Sequence, residues 1–491
     1  MHNLTDFKEV PNVIGGEEQP AAKGRTLEKV NPHNGTLLFA VSRSDAQDVA
    51  LAVDVARGAQ SAWAETPAVK RGDILRCIAS ALLDHRDEVA RIVALETGKS
   101  LANALGEVEA AASLGFFYAG EGQRLYGKTT TSGTPNKWAM TVRQPVGVAG
   151  LIIAANTPIA NVAWKVFPAL ICGNAAVLKA AEDTPATAVV FARIAKAAGL
   201  SDGVLNVIQG LGIEAGAALV ADERVGVVSF TGSSAVGREI AQAAGRRLAK
   251  VSLELGGKNP LVVCDDADLD NAAKWILLSA FSNAGQRCAA ASRIIIFESV
   301  YEALREKLLK GAKEQKVGPE NSDDFGPVIN ARQLQRMLDA VTKAKSQGAT
   351  VLTGGDRLIG PKHDGGFYMS PTFLENIDSD SEFSTSELFG PVAGLYKVSG
   401  FQEALSLANR SPYGLTACIH TKNFDRAMEF ARLVEAGVAV VNAGTYGSEP
   451  HMPFGGVKAS GNGSREPGSE ALDIYSNLKD LYFTTRGAEV I

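Results

Sequence analysis

The sequence has few of the residues that build disulfide frameworks and metal sites. Only five of its 491 residues are cysteine and six are histidine. The cysteines are odd in number, lie far apart and form no Cys-x-x-Cys pair, which predicts a reducing, cytoplasmic environment. The histidines have no ligand-like spacing, so we expect no bound metal.

The sequence also lacks a long apolar run, a basic cluster and an N-terminal signal segment. Its most apolar stretch, 146–155, is too short to span a bilayer and predicts a buried strand. Residues 1–20 carry five charged side chains and no apolar core, which argues against a secretory signal. Lysine and arginine are dispersed and the net charge is −5, so we expect neither nucleic acid nor a membrane as partner.

What the chain does contain is a large, glycine-rich α/β pattern. With 491 residues and 50 glycines it exceeds one hydrophobic core, so two or three domains are expected. Residues 44–119 have the apolar spacing of helices, and strands alternate with helices from 147 to 312. This rhythm predicts an open parallel sheet and a domain boundary near 254–258. The predicted strands are 147–154, 175–179, 204–209, 225–230, 259–263 and 292–297, and the helices between them include 187–198, 214–221, 301–312 and one that starts at 269.

Two β-rich segments lie outside this rhythm. The first is 122–145, with three consecutive threonines at 129–131, and the second is the C-terminal tail, 476–491, with Leu-Tyr-Phe at 481–483. We expect the two segments to pair as one small sheet. Because an open sheet edge is a ready site for pairing between subunits, this sheet predicts an oligomer.

Cys288 is the cysteine whose surroundings fit a nucleophile. It follows Gly285-Gln286-Arg287 at the end of an apolar helix and precedes three alanines. On a sharp turn, its thiolate can attack a carbonyl while its own backbone N–H holds the resulting oxyanion. The alternative is a buried, inert cysteine, which we expect of the other four because they lie within apolar runs. Those four are Cys77, Cys172, Cys264 and Cys418.

Glu254 and Asn156 end two apolar strands and offer the other groups that acyl chemistry needs. Glu254 precedes a pair of glycines, where a buried carboxylate with a raised pKa suits a general base that activates water. A surface acid paired with Lys258 is the alternative. Asn156 can donate its amide N–H to a developing alkoxide. It is equally well placed as a turn residue before Pro158.

Signals for a dinucleotide lie on three turns that follow predicted strands. The segment 230–237 (Phe-Thr-Gly-Ser-Ser-Ala-Val-Gly) opens a helix whose N–H groups, with Ser233, can meet a pyrophosphate. The segment 210–215 matches the dinucleotide fingerprint weakly, because short glycine spacings arise by chance in a glycine-rich chain. Lys179 and Glu182 can reach ribose hydroxyls or can form a surface ion pair.

The segment 97–100 (Thr-Gly-Lys-Ser) has the ending of a phosphate loop. The first glycine of that motif would fall at position 93, which is Val93. Gly98 is therefore predicted to be the C-cap of a helix.

Seven motifs, taken in order, resemble those of the aldehyde dehydrogenase superfamily over nearly the whole chain. They are Asn156, Lys179-x-x-Glu182, Phe230-Thr-Gly232-Ser233, Glu254-Leu-Gly256-Gly, Gly285-Gln-Arg-Cys288, Glu387-Leu-Phe389-Gly-Pro and Pro453-Phe-Gly-Gly. The resemblance implies an α/β protein with a Rossmann-like cofactor domain, an α/β catalytic domain and a small β-arm that builds a homodimer or homotetramer. It places the NAD-binding domain at 1–121 and 142–254 with part of 456–475, the catalytic domain at 255–455, and the arm at 122–141 and 476–491.

The resemblance implies oxidation of a small-molecule aldehyde to a carboxylic acid. Cys288 would be the nucleophile, Asn156 and the Cys288 N–H the oxyanion hole, and Glu254 the base for hydrolysis of a thioester. A carboxylate at Glu182 favours NAD over NADP, because it would repel a 2′-phosphate. The residues implied at the cofactor are Lys179, Glu182, Gly212, Gly232, Ser233, Gly256, Glu387 and Phe389, and those at positions proposed for proton relay are Lys165 and Glu466.

The sequence departs from the family next to the implied oxyanion hole. The family usually carries Pro-Trp before its oxyanion asparagine, whereas this chain has Ala154-Ala155. Loss of that indole removes a wall near the cofactor and the substrate channel. The asparagine itself is kept, so the chemistry is expected to survive.

The surroundings of the cysteine bear on the substrate. Gly-Gln-Arg-Cys at 285–288, together with Pro-His-Met-Pro-Phe-Gly-Gly at 450–456, most resembles the branch that handles carboxylated semialdehydes such as α-ketoglutaric semialdehyde. Arg287, Arg293 or His451 can meet a distal anion. Equally, each arginine can turn away into a domain interface.

Three alternatives share part of this pattern. A dehydrogenase that acylates coenzyme A and a reductase of acyl phosphates would both share the fold, but neither needs Glu254 as a base for water. A non-catalytic structural or binding member would keep the fold and lose the site. The intact set of Cys288, Glu254 and Asn156 argues against that third alternative.

Overall fold

The computed structural model describes residue 5 and residues 7–485, which contain two seven-stranded sheets. Five neighbouring strands of the first sheet are parallel, and the last two are each antiparallel to the strand before them. From edge to edge this sheet consists of Lys250–Glu254, Val225–Thr231, Val148–Ile152, Ala175–Lys179, Leu205–Ile208, Asn12–Ile14 and Glu17–Gln19.

The central strands of this sheet are predominantly apolar because both of their faces are covered. Every residue of Val148–Ile152 is buried. Its alternate side chains, Ala149 and Leu151, belong to the apolar cluster that includes helices Pro158–Ile171 and Pro185–Ala197. The others pack into the cluster that includes helix Ala46–Glu65 on the opposite face. The predicted parallel α/β sheet is confirmed.

The order of strands in this sheet reverses at Val148–Ile152. The chain goes from there to Ala175–Lys179 and Leu205–Ile208 on one side, and then returns to place Val225–Thr231 on the other side. A crevice forms at the carboxyl ends of the strands at such a switch point, and ligands of open α/β sheets bind there.

The second seven-stranded sheet is parallel except for its first edge strand. In order it consists of Thr350–Thr353, Thr372–Glu375, Val392–Val398, Ala291–Phe297, Asn259–Val263, Thr416–His420 and Val438–Val441. Two smaller sheets accompany it, made of Glu9–Val10, Leu37–Ser42 and Thr26–Val30, and of Tyr413–Gly414 and Val457–Lys458.

The helices predicted between 44 and 119 are confirmed, and so is the C-cap at Gly98, whose φ is 77°. Segment 214–221 is helical, as a turn of π-helix followed by a short α-helix. In the described part of the chain, no helix has the length and apolarity that crossing a membrane requires. The α-helices are Ala46–Glu65, Ala68–Asp84, Arg86–Thr97, Leu101–Glu121, Pro158–Ile171, Pro185–Ala197, Ala217–Ala221, Ser234–Gly245, Leu269–Phe281, Tyr301–Glu314, Ala331–Ser346, Glu382–Thr385, Phe401–Asn409, Phe424–Leu433 and Ala471–Tyr475.

The expected pairing of the two β-rich segments is confirmed. Strand Ser476–Thr484 is antiparallel to Lys137–Pro145 along its whole length, and Thr129–Thr131 adds a third strand. The strand Lys137–Pro145 lies within the β-rich segment 122–145 and runs past residue 141, where the family resemblance ends the arm. Positions 486–491 of the predicted arm lie outside the described residues.

Candidate active site

A cavity of about 580 Å³ is lined by residues that follow strands of the first large sheet and by residues that precede strands of the second. It brings together the three groups that the sequence singled out for chemistry, namely Cys288, Glu254 and Asn156. The other predicted site residues in its lining are Gly232, Ser233, Gly256, Arg287, Glu387 and Phe389. Residues from chain positions more than 100 apart therefore share one pocket.

Cys288 follows a sharp turn that an ordinary helix end would not produce. Asn283, Ala284 and Gly285 have φ values of 55°, 53° and 66°, in the left-handed region. A Cβ at position 285 would lie 2.1 Å from the carbonyl oxygen of Gly390, so only glycine fits there. The turn redirects the chain after its apolar helix and places Cys288 in the cavity wall.

Asn259, which the sequence analysis did not single out, holds the backbone of Cys288 in place. Its Nδ2 donates to the carbonyl oxygens of Cys288, at 2.7 Å, and of Ala290, at 2.9 Å. Its Oδ1 accepts from the N–H of Thr416 at 3.1 Å, which ties the loop to the second sheet. Its position five residues after Glu254 is the only sequence signal for this role.

Asn156 lies against the turn that carries Cys288. Its Nδ2 donates one hydrogen bond to the carbonyl oxygen of Gln286, at 3.0 Å, which leaves the second N–H of the amide for a ligand. The backbone N–H of Cys288 has no acceptor among the residues that the structure describes. Both N–H groups belong to residues that line the cavity, and donors of this kind build an oxyanion hole.

Burial in the cavity wall raises the pKa of the Cys288 thiol to about 12, and the negative charges of Glu387 and Glu254 add to the effect. The Ala289 N–H opposes it weakly. A thiol with this pKa is protonated at neutral pH. Attack on a carbonyl requires that its proton be removed or that positive charge be brought beside it.

Glu254 is buried at the end of strand Lys250–Glu254, and neither of its carboxyl oxygens has a hydrogen-bond partner within the described residues. Burial raises its pKa well above the usual value, and the charge of Glu466 raises it further. The alternative of an ion pair with Lys258 is excluded, because the Lys258 Nζ lies over the ring of Phe383, 4.9 Å from its centroid. A buried carboxyl group without a protein partner calls for water or ligand in the cavity.

Lys165 and Glu466 do not line the cavity. They form a buried hydrogen-bond network behind it. Lys165 Nζ lies 2.9 Å from Glu466 Oε2 and donates to the hydroxyl of Ser229. Glu466 also accepts hydrogen bonds from Ser229 and from the hydroxyl of Tyr475. Through its charge, Glu466 acts on the pKa of Glu254.

Lys179 and Glu182 lie outside the cavity lining, at the carboxyl end of the strand next to Val148–Ile152. The Lys179 Nζ is 2.8 Å from Glu182 Oε2. Burial raises the pKa of Glu182, but Lys179 and the N–H of Gly212 outweigh it, so that pKa lies below its usual range. The lysine is buried and the carboxylate is 39% exposed, so the acid is the member of the pair that a ligand can reach.

The turns at Gly256 and Ser233 bring a partly buried carboxylate and a helix N-terminus to the cavity. The Gly257 N–H donates to Glu387 Oε1 at 3.1 Å, and a Cβ at Gly256 would lie 2.1 Å from the other carboxyl oxygen. Burial raises the pKa of Glu387 to about 7. Ser233 begins the helix Ser234–Gly245, whose N-terminus favours a phosphate at the sheet's switch point.

Of the three candidates for a distal anion, only Arg287 lines the cavity. Its guanidinium lies 4.9 Å from the ring centroid of Tyr446, and its Nε has no partner among the described residues. Arg293 instead turns into the interior and donates to the carbonyl oxygens of residues 407 and 408. His451 is exposed and lies beside Glu449, outside the lining.

The sequence model of the aldehyde dehydrogenase family matches residues 19–481. This chain belongs to that family. It is 37% identical over 485 residues to the α-ketoglutaric semialdehyde dehydrogenase of Bacillus subtilis (strain 168), covering 98% of this chain and 99% of the relative. It is 38% identical over 473 residues to the α-ketoglutarate semialdehyde dehydrogenase of Haloferax volcanii, covering 96% and 98%. The resemblance inferred from the seven motifs is confirmed.

Solved structures of this family have the same fold. A betaine aldehyde dehydrogenase from Staphylococcus aureus in complex with NAD⁺ has a TM-score of 0.96 and 31% identity, and covers 99% of each chain. A 3,6-anhydro-L-galactose dehydrogenase has a TM-score of 0.94 and 35% identity, and covers 97% of this chain and all of its own. This aldehyde dehydrogenase is an oxidoreductase that acts on aldehydes and uses NAD or NADP.

Aromatic side chains that the sequence analysis did not predict line the cavity of this aldehyde dehydrogenase. Trp164, Phe454 and Tyr446 all line it, and the first two contact each other edge to face at a centroid distance of 5.4 Å. Ala154 lines it as well. An indole thus borders the cavity from helix Pro158–Ile171, although the tryptophan usual before the oxyanion asparagine is missing.

Proposed function

We propose that this aldehyde dehydrogenase converts an aldehyde to a carboxylic acid hydrolytically, with NAD, through a thioester on Cys288. The observation that carries the proposal is the buried carboxyl group of Glu254, which has no hydrogen-bond partner among the described residues and shares the cavity with the thiol. A dehydrogenase that passes its acyl group to coenzyme A has no use for such a base. Water is the nucleophile that a buried carboxylate of raised pKa is suited to activate.

In the first half of the reaction, the Cys288 thiol gives up its proton to solvent water, and the thiolate attacks the carbonyl carbon and forms a thiohemiacetal. The second N–H of the Asn156 amide and the backbone N–H of Cys288 stabilise its oxyanion. The cofactor supplies the hydride acceptor and, in its oxidised form, a positive charge. Loss of hydride from the adduct leaves a thioester on Cys288.

In the second half, Glu254 takes a proton from water as the water oxygen attacks the thioester carbon. The C–S bond breaks, the thiolate returns to Cys288, and the carboxylic acid leaves. Lys165 and Glu466 are assigned to the path by which the proton departs, since their network lies behind Glu254. Lys179, Glu182 and Ser233 would hold the adenosine ribose and the pyrophosphate, and Glu387 with Phe389 the nicotinamide end.

Turnover itself tests the proposal. NADH formation is measured with NAD, without coenzyme A or phosphate, on neutral and carboxylated aldehydes. Hydrolytic oxidation predicts turnover on at least one of them. Absence of turnover that coenzyme A restores would assign the enzyme to the acylating class and would leave Glu254 without its proposed role.

NAD is the proposed cofactor because Glu182 offers a carboxylate where a 2′-phosphate would lie. The relatives do not decide the point, since their structures include complexes with either cofactor. Substituting Glu182→Ser removes the like charge and is expected to raise the ratio of kcat/KM for NADP to that for NAD by about tenfold or more. The matched control is Glu17→Ser, at an exposed acid on the first sheet's edge. An unchanged ratio in the Glu182 variant would remove this residue from cofactor choice.

A carboxylated semialdehyde is the proposed substrate class. The only candidate cation of the sequence analysis that reaches the cavity is Arg287, and its Nε is buried without a partner among the described residues. A guanidinium binds a carboxylate through charge-assisted hydrogen bonds. The names of the Bacillus subtilis and Haloferax volcanii relatives point to the same class.

Arg287→Met is expected to lower kcat/KM for a carboxylated aldehyde by about 10- to 100-fold, the value of one charge-assisted hydrogen-bond pair. The apolar stem of methionine keeps the packing against Tyr446. A neutral aldehyde of the same length serves as the control substrate, and its kcat/KM should change little. An equal loss on both substrates would show that Arg287 supports the cysteine turn rather than an anion.

We also propose the domain organisation that the family resemblance implies. The cofactor domain holds the first large sheet and the catalytic domain the second, and the three-stranded sheet is the arm of a homodimer or homotetramer. Trp138 and Phe483 support the last point, because they are cross-strand partners on that small sheet and both are more than half exposed. Large apolar side chains exposed together are typical of an association surface.

A further inference from the structure

Lys99 and Glu107 form a buried ion pair in the wall of the active-site cavity. The Lys99 Nζ lies 2.5 Å from Glu107 Oε2, and the two side chains are only 3% and 6% exposed. Both residues line the same cavity as Cys288 and Asn156. Neither residue has a role in the proposed reaction.

Each member of the pair also contacts the backbone around Asn156. The Lys99 Nζ donates to the carbonyl oxygen of Asn156 at 2.8 Å. The second carboxyl oxygen of Glu107 accepts the backbone N–H of Ile159 at 3.0 Å and of Ala160 at 3.4 Å. The pair therefore spans the turn from Asn156 to Ala160 and holds it at both ends.

Glu107 supplies a cap that the local sequence does not. Helix Pro158–Ile171 begins at Thr157, whose side chain makes no capping hydrogen bond. A carboxylate at a helix N-terminus satisfies free N–H groups and is stabilised by the helix dipole. Because the other oxygen of the same carboxylate binds Lys99, the helix start and the Asn156 carbonyl are mechanically linked.

The lysine is placed by rigid backbone rather than by a mobile loop. It follows Gly98, which ends helix Arg86–Thr97 in the left-handed conformation. A Cβ at position 98 would lie 2.6 Å from the ring of Pro327, so the turn is also closely packed. A side chain held this way can fix the position of the atom that it contacts.

We propose that the Lys99–Glu107 pair positions Asn156, so that the Asn156 amide points at the oxyanion in the first half of the reaction. Lys99 and Glu107 are positioning residues and touch no reacting atom in this role. The inference rests on the proposed oxyanion role of Asn156, and it adds two residues that hold that role in place.

Lys99→Met keeps the length of the side chain and removes its charge and its hydrogen bond to Asn156. We expect the single-turnover rate of NADH formation to fall about tenfold, a fraction of the roughly 100- to 1,000-fold loss from removing an oxyanion donor. KM for the aldehyde should change less than threefold, since the substrate's ground state does not use the contact. Lys99→Arg, which can reach the same carbonyl, should recover part of the rate.

A double-mutant cycle separates positioning from a general structural effect. In the background Asn156→Ala there is no amide left to position, so adding Lys99→Met should cost little further rate. Equal fold-losses in both backgrounds would overturn the proposal while leaving Asn156 in the oxyanion hole. If Asn156→Ala alone keeps the full rate, then the oxyanion assignment fails, and the inference fails with it.

Two further variants keep the test valid if Lys99→Met does not fold or loses rate for a general structural reason. Glu107→Gln removes the charge but keeps an acceptor for the N–H of Ile159, and the same cycle applies to it if Lys99→Met does not fold. Arg305→Met breaks a partly buried ion pair with Glu375 in the second sheet's layer, away from this cavity, and is the matched control. A rate loss in the control as large as in Lys99→Met, at equal thermal stability, would likewise overturn the proposal.

Discussion

Aldehyde oxidation is expected to stop in a Cys288→Ala variant that still binds NAD. Removing a covalent nucleophile lowers kcat by about 10⁴-fold or more, because no other group in the site can form the acyl intermediate. The alanine leaves the turn at Gly285 and the contact from Asn259 to the backbone intact. NADH formation and NAD binding by calorimetry are the two measurements. Turnover at more than a hundredth of the original rate would assign the nucleophile elsewhere.

Thiol alkylation checks the same assignment in the unsubstituted site. The sequence placed Cys77 among the inert buried cysteines, but this was wrong, because Cys77 lies on the exposed face of helix Ala68–Asp84. Labelling is therefore measured in a Cys77→Ser background. With the pKa of Cys288 at about 12, its labelling rate without cofactor should rise with each unit of pH, as the thiolate fraction grows. A non-catalytic family member would show no preferential labelling at Cys288.

Glu254→Gln is expected to give a burst of NADH followed by a steady-state rate lower by about 10²- to 10⁴-fold. The variant keeps the nucleophile and the oxyanion hole, so the thioester still forms. It lacks a base for water, so the thioester accumulates. Stopped-flow absorbance of NADH resolves the two phases.

Hydroxylamine is the control for this variant, since it attacks a thioester without a general base. It should restore turnover in Glu254→Gln and should change the original enzyme little. A full steady-state rate in Glu254→Gln without hydroxylamine would remove Glu254 from the mechanism. A loss of the burst would show instead that Glu254 acts before the thioester.

The pH dependence of hydrolysis follows from the raised pKa of Glu254. Burial and Glu466 raise this pKa well above the usual value of a carboxyl group. The active form is the carboxylate, so the rate of thioester hydrolysis falls as the pH falls through the raised pKa. In Glu254→Gln that acidic limb should flatten, which the steady-state rate against pH measures directly.

The sequence by itself determined which three polar groups meet in the cavity. Glu254 and Asn156 lie at the ends of apolar strands and Cys288 follows an apolar helix, so local pattern is enough to place each of them at the end of its element. The parallel strands of the first sheet were predictable for the same reason, since strands covered on both faces are predominantly apolar. The order of seven motifs was enough to identify the family.

Other strands could not be read from the sequence. Thr416–His420 carries threonine and histidine but is buried throughout, because it pairs with Asn259–Val263, more than 150 residues earlier. Strand Val392–Val398 lies between two others and is covered in the same way. Their burial depends on distant neighbours and leaves little local signal.

Only the tertiary structure decided which side chains serve the site. Arg287 and Arg293 lie six positions apart, yet one faces the cavity and the other donates to carbonyls in the interior. Lys99 meets the carbonyl of Asn156, 57 residues away. Contacts of this kind depend on the packing of helices and sheets and not on local periodicity, so no spacing in the chain predicts them.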